Sequence, residues 1–266
     1  MRSPNSAVTG GTLDADRVTS RGRLWAEVLI VLGLSLGQSA AYSIVNIVDL
    51  LTRPTAISQQ TATLNASQSS RPTFDLIYQL MGIFFALVPA VLVCFLLWRA
   101  ARPHLGRLGI DSAHPARDAV QGVALAVIIG GGGIGVYLGG RALGITVDVV
   151  PTALDAYWWT VPVLVLSAAR AALQEEVVVI GYLFARLRDL GWGRWRIIVA
   201  TSVLRGSYHL YQGVGAFVGN FLMGMLFGWL YDRYGRLLPF VAAHFLIDAA
   251  IFVGYPWAAA AFPALF

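Results

Sequence analysis

The stretch from Tyr157 to Leu190, YWWTVPVLVLSAARAALQEEVVVIGYLFARLRDL, decides how the rest of the chain is read. It is apolar for most of its length, closes on Arg186 and Arg188, and carries adjacent carboxylates, Glu175 and Glu176, near its middle. It is longer than the roughly 20 helical residues that a hydrocarbon core requires. A carboxylate at that depth costs about 3 kcal/mol unless it is paired or faces a wet cavity. The chain has only one other glutamate, Glu27, so two side by side inside a membrane helix mark the first place to look for function.

Composition agrees with a membrane reading. With 57% hydrophobic and 12% charged residues and a mean hydropathy of +0.68, the chain has too little charge to cover a soluble domain of 266 residues. The expected fold is an all-α, polytopic transmembrane helical bundle. The net charge of +5 does not point to nucleic acid, because the basic residues punctuate loops between apolar runs instead of forming a stripe. The single cysteine, Cys94, excludes an internal disulfide and a cysteine-rich metal site.

Residues 1–23 are polar and read as a disordered cytoplasmic tail, and 24–266 as the transmembrane bundle. Apolar runs predict about seven spans, at 24–51, 74–98, 118–143, 157–190, 196–212, 214–232 and 237–254. The first continues through Ile44, Val45, Ile47 and Val48, too long for the apolar core of a cleavable signal. Residues 52–73, rich in Ser, Thr and Gln, form a loop. Arginine collects on alternate connections, in the tail, in 99–117, around Arg186 to Arg196, and at Arg233 and Arg236, whereas the other side holds only Arg53 and Arg71. The positive-inside rule then places the N-terminus in the cytoplasm of a multi-pass cell-membrane protein. The run Gly130 to Gly133 lacks the lysine of a phosphate loop, and together with Gly135, Gly139, Gly215, Gly219, Gly224 and Gly228 it reads as close helix packing.

Further ionisable residues stand at the level of the two glutamates. His209 lies in RGSYHLYQG, and His244 and Asp248 lie in HFLID, spaced i, i+4 on one helix face, as are Arg205 and His209. Counted at about 1.5 Å per residue from the nearest arginine of the basic side, Glu175 lies roughly 16 Å deep, His209 roughly 20 Å, His244 roughly 12 Å, Asp248 roughly 18 Å and Asn220 roughly 20 Å. All fall near the centre of a core about 30 Å thick. Each residue taken singly has an ordinary reading: a packing histidine, Asp248 as the partner of His244, Glu176 as the salt-bridge partner of Arg205. Their convergence from several helices argues instead for one polar cavity.

Carboxylates and imidazoles without a serine or cysteine nucleophile suit activation of water, by a general base or by a metal ion. A catalytic zinc site built from Glu175, His209 and His244 is the metal alternative. A proton-coupled carrier or a non-catalytic membrane scaffold or immunity protein are the other classes compatible with the cluster; no internal repeat supports a carrier.

At these residues the chain resembles the CAAX-processing and bacteriocin-processing (CPBP, or ABI) intramembrane proteases, which include the type II CAAX prenyl endopeptidases. The family's E-E-x-x-x-R-G motif is met by EEVVVIG, Glu175 to Gly181; its F-x-x-x-H by RGSYH ending at His209; and its H-x-x-x-N, or the Asp variant, by His244 and Asp248. The resemblance spans a protease-like core at 157–252 and departs from the family at two places: Ile180 stands where the family has arginine, and Arg205 where it has phenylalanine. The exchange suggests that Arg205 neutralises Glu176 from a facing helix. The resemblance implies Glu175 as water-activating base assisted by His209, Glu176 as a supporting carboxylate, and His244 with Asp248 on the oxyanion or metal side. Arg205 and Asn220 are expected in supporting roles. The substrate it implies is a membrane-associated peptide or protein, with membrane lipid as the surrounding partner.

Overall fold

The computed structural model describes residues 20–261, and the cytoplasmic tail expected at 1–23 lies almost wholly outside them. Arg21–Gly33 (α1) and Leu36–Thr52 (α2) occupy the first expected span, but they are bent by 58° at the break between them. Pro72–Leu97 (α3) starts on proline, whose missing N–H costs nothing in a first helical turn. Pro115–Ala142 (α4), Val214–Tyr234 (α8) and Leu238–Ala261 (α9) are the other long apolar helices. Among the described residues these and α3 make four helices long and apolar enough to cross a membrane, or five elements if the bent α1–α2 pair counts as one span, fewer than the seven or so expected. Their outward faces carry exposed apolar side chains such as Val45, Phe84, Phe95 and Val127, as a bilayer requires and water would not.

The decisive stretch forms one continuous helical rod: Thr160–Glu175 (α5), a π-helical segment Glu176–Tyr182, and Leu183–Asp189 (α6). In the π segment the Leu183 N–H reaches five residues back, to Val178 O. Four consecutive β-branched residues, Val177 to Ile180, occupy this wider turn, where α-helix propensity is weakest. Every residue of the segment is buried, and it forms the centre of the main apolar core. The rod packs on α9 along one side and on α3 along another.

Two further expectations change. The span read at 196–212 is a 14-residue helix, Arg194–Ser207 (α7), about 21 Å long and so too short for a full hydrocarbon core. It stops because Tyr208 and His209 turn into a single 3₁₀ turn, Leu210–Gln212, that ends on Gly213. Gly213 has φ +98, and any Cβ there would lie 2.6 Å from Ile145 O. The all-α bundle also carries one small sheet: Thr61–Asn65 (β1) pairs in parallel with Asp148–Thr152 (β2), with Thr61 opposite Asp148 and Asn65 opposite Thr152. Both strands lie in the connections opposite the arginine-rich end.

The glycines divide. Gly224 and Gly228 meet Ser202, Ile198 and Phe184, and Gly215 and Gly219 meet Thr146 and Val136, so these four do pack helices closely. The run on α4 behaves otherwise. A Cβ on Gly131, Gly132, Gly133, Gly135 or Gly139 would meet nothing within 4 Å, so close packing does not account for that run.

Candidate active site

Glu175 is the last residue of α5 and Glu176 the first of the π segment, and both are buried. Adjacent residues of a helix point about 100° apart, yet both carboxylates find partners on α7 or in the turn that follows it. Glu176 Oε1 accepts from Arg205 Nη2 at 2.5 Å and contacts His244 Nδ1 at 2.8 Å. Arg205 and Glu176 are both 0% exposed, so this ion pair is sealed from solvent. The pairing anticipated from the Ile180 and Arg205 exchange is therefore present, and Ile180 is packed into the apolar core.

His244 holds a carboxylate on each ring nitrogen, since its Nε2 lies 3.4 Å from Asp248 Oδ2, one helical turn further along α9. That fixes the ring's orientation between Glu176 and Asp248.

Glu175 has a different environment. Its Oε2 accepts from the Tyr208 hydroxyl at 2.8 Å and lies 3.8 Å from His209 Nε2. The second distance is too long for a direct hydrogen bond. Gln212 Nε2 approaches His209 Nδ1 at 3.4 Å, which as assigned leaves the ring proton on Nε2. His209 Nε2, Glu176 Oε2, and Arg205 Nε and Nη1 are buried without a hydrogen-bond partner among the described residues. Four such atoms in one cluster are unusual for a purely structural network, in which buried polar groups are satisfied.

The structure thus brings together Glu175, Glu176, Arg205, His209, His244 and Asp248 from α5, the π segment, α7 with its following turn, and α9. Asn220 is not joined to them by a hydrogen bond: its side-chain N–H returns to Ala216 O of its own helix at 3.0 Å. Tyr208 was not anticipated. Its place directly before His209 in RGSYH was the one available hint, and Ser43 of α2 secures its backbone by donating to Tyr208 O at 2.9 Å.

A zinc ion on Glu175, His209 and His244 needs three donors about 2.0–2.2 Å from one point. Among the described residues no group of three or more His, Cys, Asp or Glu side chains is arranged to hold an ion, and both His244 nitrogens already face carboxylates. The donor set as it stands does not fit the three-ligand expectation.

A polytopic helical membrane protein with a buried carboxylate and imidazole cluster is the class that fold and site define together. The family described as Type II CAAX prenyl endopeptidase Rce1-like has a model that matches residues 157–250, which contain every member of this cluster. No curated protein and no solved structure matches the chain. Over 157–250, the segment that carries the three motifs, the chain is similar to this family, and that segment sits within a multi-pass membrane protein of all-α type. That similarity supports an intramembrane endopeptidase in general terms.

Proposed function

We propose that the protein hydrolyses a peptide bond of a membrane-associated peptide or protein, with Glu175 as the base that activates water. The observation that carries this reading is the gap between Glu175 Oε2 and His209 Nε2. At 3.8 Å it is too wide for direct bonding and suited to a water bound to both atoms from one side. The Tyr208 hydroxyl fixes the carboxylate that faces this gap.

The water oxygen, held by His209 Nε2–H, bonds to the scissile carbonyl carbon as its proton passes to Glu175, and His244 Nε2–H donates to the carbonyl oxygen as negative charge develops there. Collapse of the tetrahedral intermediate breaks the C–N bond, and Glu175 returns the proton to the leaving amine. Glu176, neutralised by Arg205, holds His244 from below. The long 3.4 Å contact of His244 Nε2 with Asp248 is the one most easily exchanged for a substrate carbonyl, which gives this pair an oxyanion-side role.

Peptides reach the site from the side of the arginine-rich loops, with the N-terminus in the cytoplasm. The matched family's description names a CAAX prenyl endopeptidase, so prenylated and unprenylated membrane peptides are both probes. Purified full-length protein in detergent, incubated with such a peptide library with and without a chelator, tests the proposal. Cleavage unaffected by chelator is the expected result. Absence of any cleavage across the library contradicts the protease reading, and chelator-sensitive cleavage contradicts the metal-free route.

A further inference from the structure

The sequence places three arginines inside the apolar segments, and they are satisfied unequally. Arg205 is paired with Glu176. Arg141, near the end of α4, donates to Ser58 O at 2.5 Å and to Thr146 O at 3.3 Å. Arg170, in the middle of α5, has only Gln174 Oε1, at 3.3 Å, and forms no ion pair among the described residues.

Arg170 lines a groove of about 490 Å³ bounded by α3, α5 and the end of β1. Ser167, one turn away on the same face of α5, lines it too, although the residue is only 4% exposed. Serine and threonine hydroxyls elsewhere in the bundle, at Thr201, Ser202 and Ser207, are bonded to carbonyls of their own helix. Ser167 has no such bond among the described residues, so a buried hydroxyl and a guanidinium with unused N–H groups face one cavity. The α3 side is apolar and outward-facing, with Tyr78 49%, Met81 47% and Phe85 62% exposed, whereas Asn65, Gln68 and Gln79 line the end nearest β1.

Depth selects the ligand. Arg170 is sixteen residues from Arg186, roughly 24 Å along the rod, which leaves about 6 Å to the far boundary of a 30 Å core. An arginine side chain spans that remaining distance to the headgroup level. We propose that the groove is a phospholipid site in the leaflet opposite the arginine-rich loops. Arg170 and Ser167 hold the phosphodiester there, while Tyr78, Met81 and Phe85 lie against the acyl chains. The proposal concerns binding alone and is independent of the hydrolytic reading.

The test is native mass spectrometry and thermal unfolding of the full-length protein in detergent titrated with phosphatidylglycerol, diacylglycerol of the same chains, inorganic phosphate, or a short apolar peptide with a free C-terminal carboxylate. Phosphatidylglycerol is expected to be retained and to raise the unfolding temperature, whereas diacylglycerol and inorganic phosphate are not. Arg170→Gln should weaken phosphatidylglycerol binding at least tenfold, Arg170→Lys by less, and Arg53→Gln, at the same end of the molecule, not at all. Should Arg170→Gln fail to fold, the wild-type comparison of the two lipids and the Arg170→Lys variant decide. Equal retention of diacylglycerol overturns the proposal, as does unchanged binding by a folded Arg170→Gln. Stabilisation that depends on Arg170 but comes only from a peptide carboxylate also overturns it and assigns the groove to peptide.

Discussion

Two charge clusters in this molecule are built from similar residues to opposite ends. At the arginine-rich rim, Arg236 bridges Asp118 at 2.6 Å and Asp111 at 3.1 Å, tying the start of α4 and the loop before it to the turn between α8 and α9. In the membrane interior, Arg205 meets Glu176 at 2.5 Å, and around that pair stand His244, Asp248, Glu175 and His209. The rim cluster leaves no buried polar atom unpaired, whereas the interior one leaves four. A cluster whose atoms are all used is a clasp. One that keeps donors and acceptors in reserve is what the proposed binding of water and substrate needs.

The largest expected effect comes from breaking the interior pair. Arg205→Phe strands Glu176 in a sealed apolar setting and should cost about 3–5 kcal/mol of stability, read by denaturant or thermal unfolding in detergent. Adding Ile180→Arg should recover part of that loss and more activity than Arg205→Phe alone retains. If the double variant is no better than the single one, Arg205 does not compensate for the exchanged arginine.

Next in size is Tyr208→Phe, which removes one hydroxyl from Glu175 while keeping the ring. It should lower the rate by roughly tenfold or more and change stability by about 1 kcal/mol, since one hydrogen bond is lost. A rate equal to wild type would show that the hydroxyl does not position the carboxylate.

At the rim, Arg236→Gln should cost less than the interior change, about 1–3 kcal/mol, because Asp118 loses its partner while Asp111 keeps contact with solvent, and should leave cleavage unchanged. The smallest effect is that of pH on the same clasp. The Ala113 N–H and then the Arg236 guanidinium hold the Asp111 carboxyl below its ordinary range, and the two aspartates raise Arg236 above its own. A lowered carboxyl contributes stability in full above about pH 4, and the contribution fades as pH falls further. Asp111→Asn should therefore flatten the acid limb of the stability curve and leave the region near pH 7 untouched.

How much of this was legible in the sequence follows from which forces are local. The rod at 157–190 and the motif residues were readable because apolar length and helical spacing are local properties, and the Arg205 to Glu176 pairing because a buried charge demands a partner. The end of α7 was not, since nothing in the apolar run signals that Tyr208 and His209 leave the helix; Gly213, with its positive φ, was the single clue. The π segment follows a backbone hydrogen-bond shift that hydropathy does not register. The sheet joins two five-residue strands far apart in sequence, and the alternation of Ala62 and Leu64 in Thr61 to Asn65 is too short to stand out from the polar loop around it. The glycines of α4 misled because small residues permit close approach without requiring it. Tyr208 was missed because a tyrosine in an apolar segment is ordinarily read as packing.

The proposed role of Glu175 as the water-activating base stands or falls on the comparison of wild type with Glu175→Gln. The substitution keeps the shape and the capacity to accept from Tyr208 but cannot take a proton from water. Cleavage of a peptide that the wild type hydrolyses should fall by a factor on the order of 10²–10⁴, with thermal unfolding close to that of wild type. Turnover at the wild-type rate by a folded Glu175→Gln protein would contradict it.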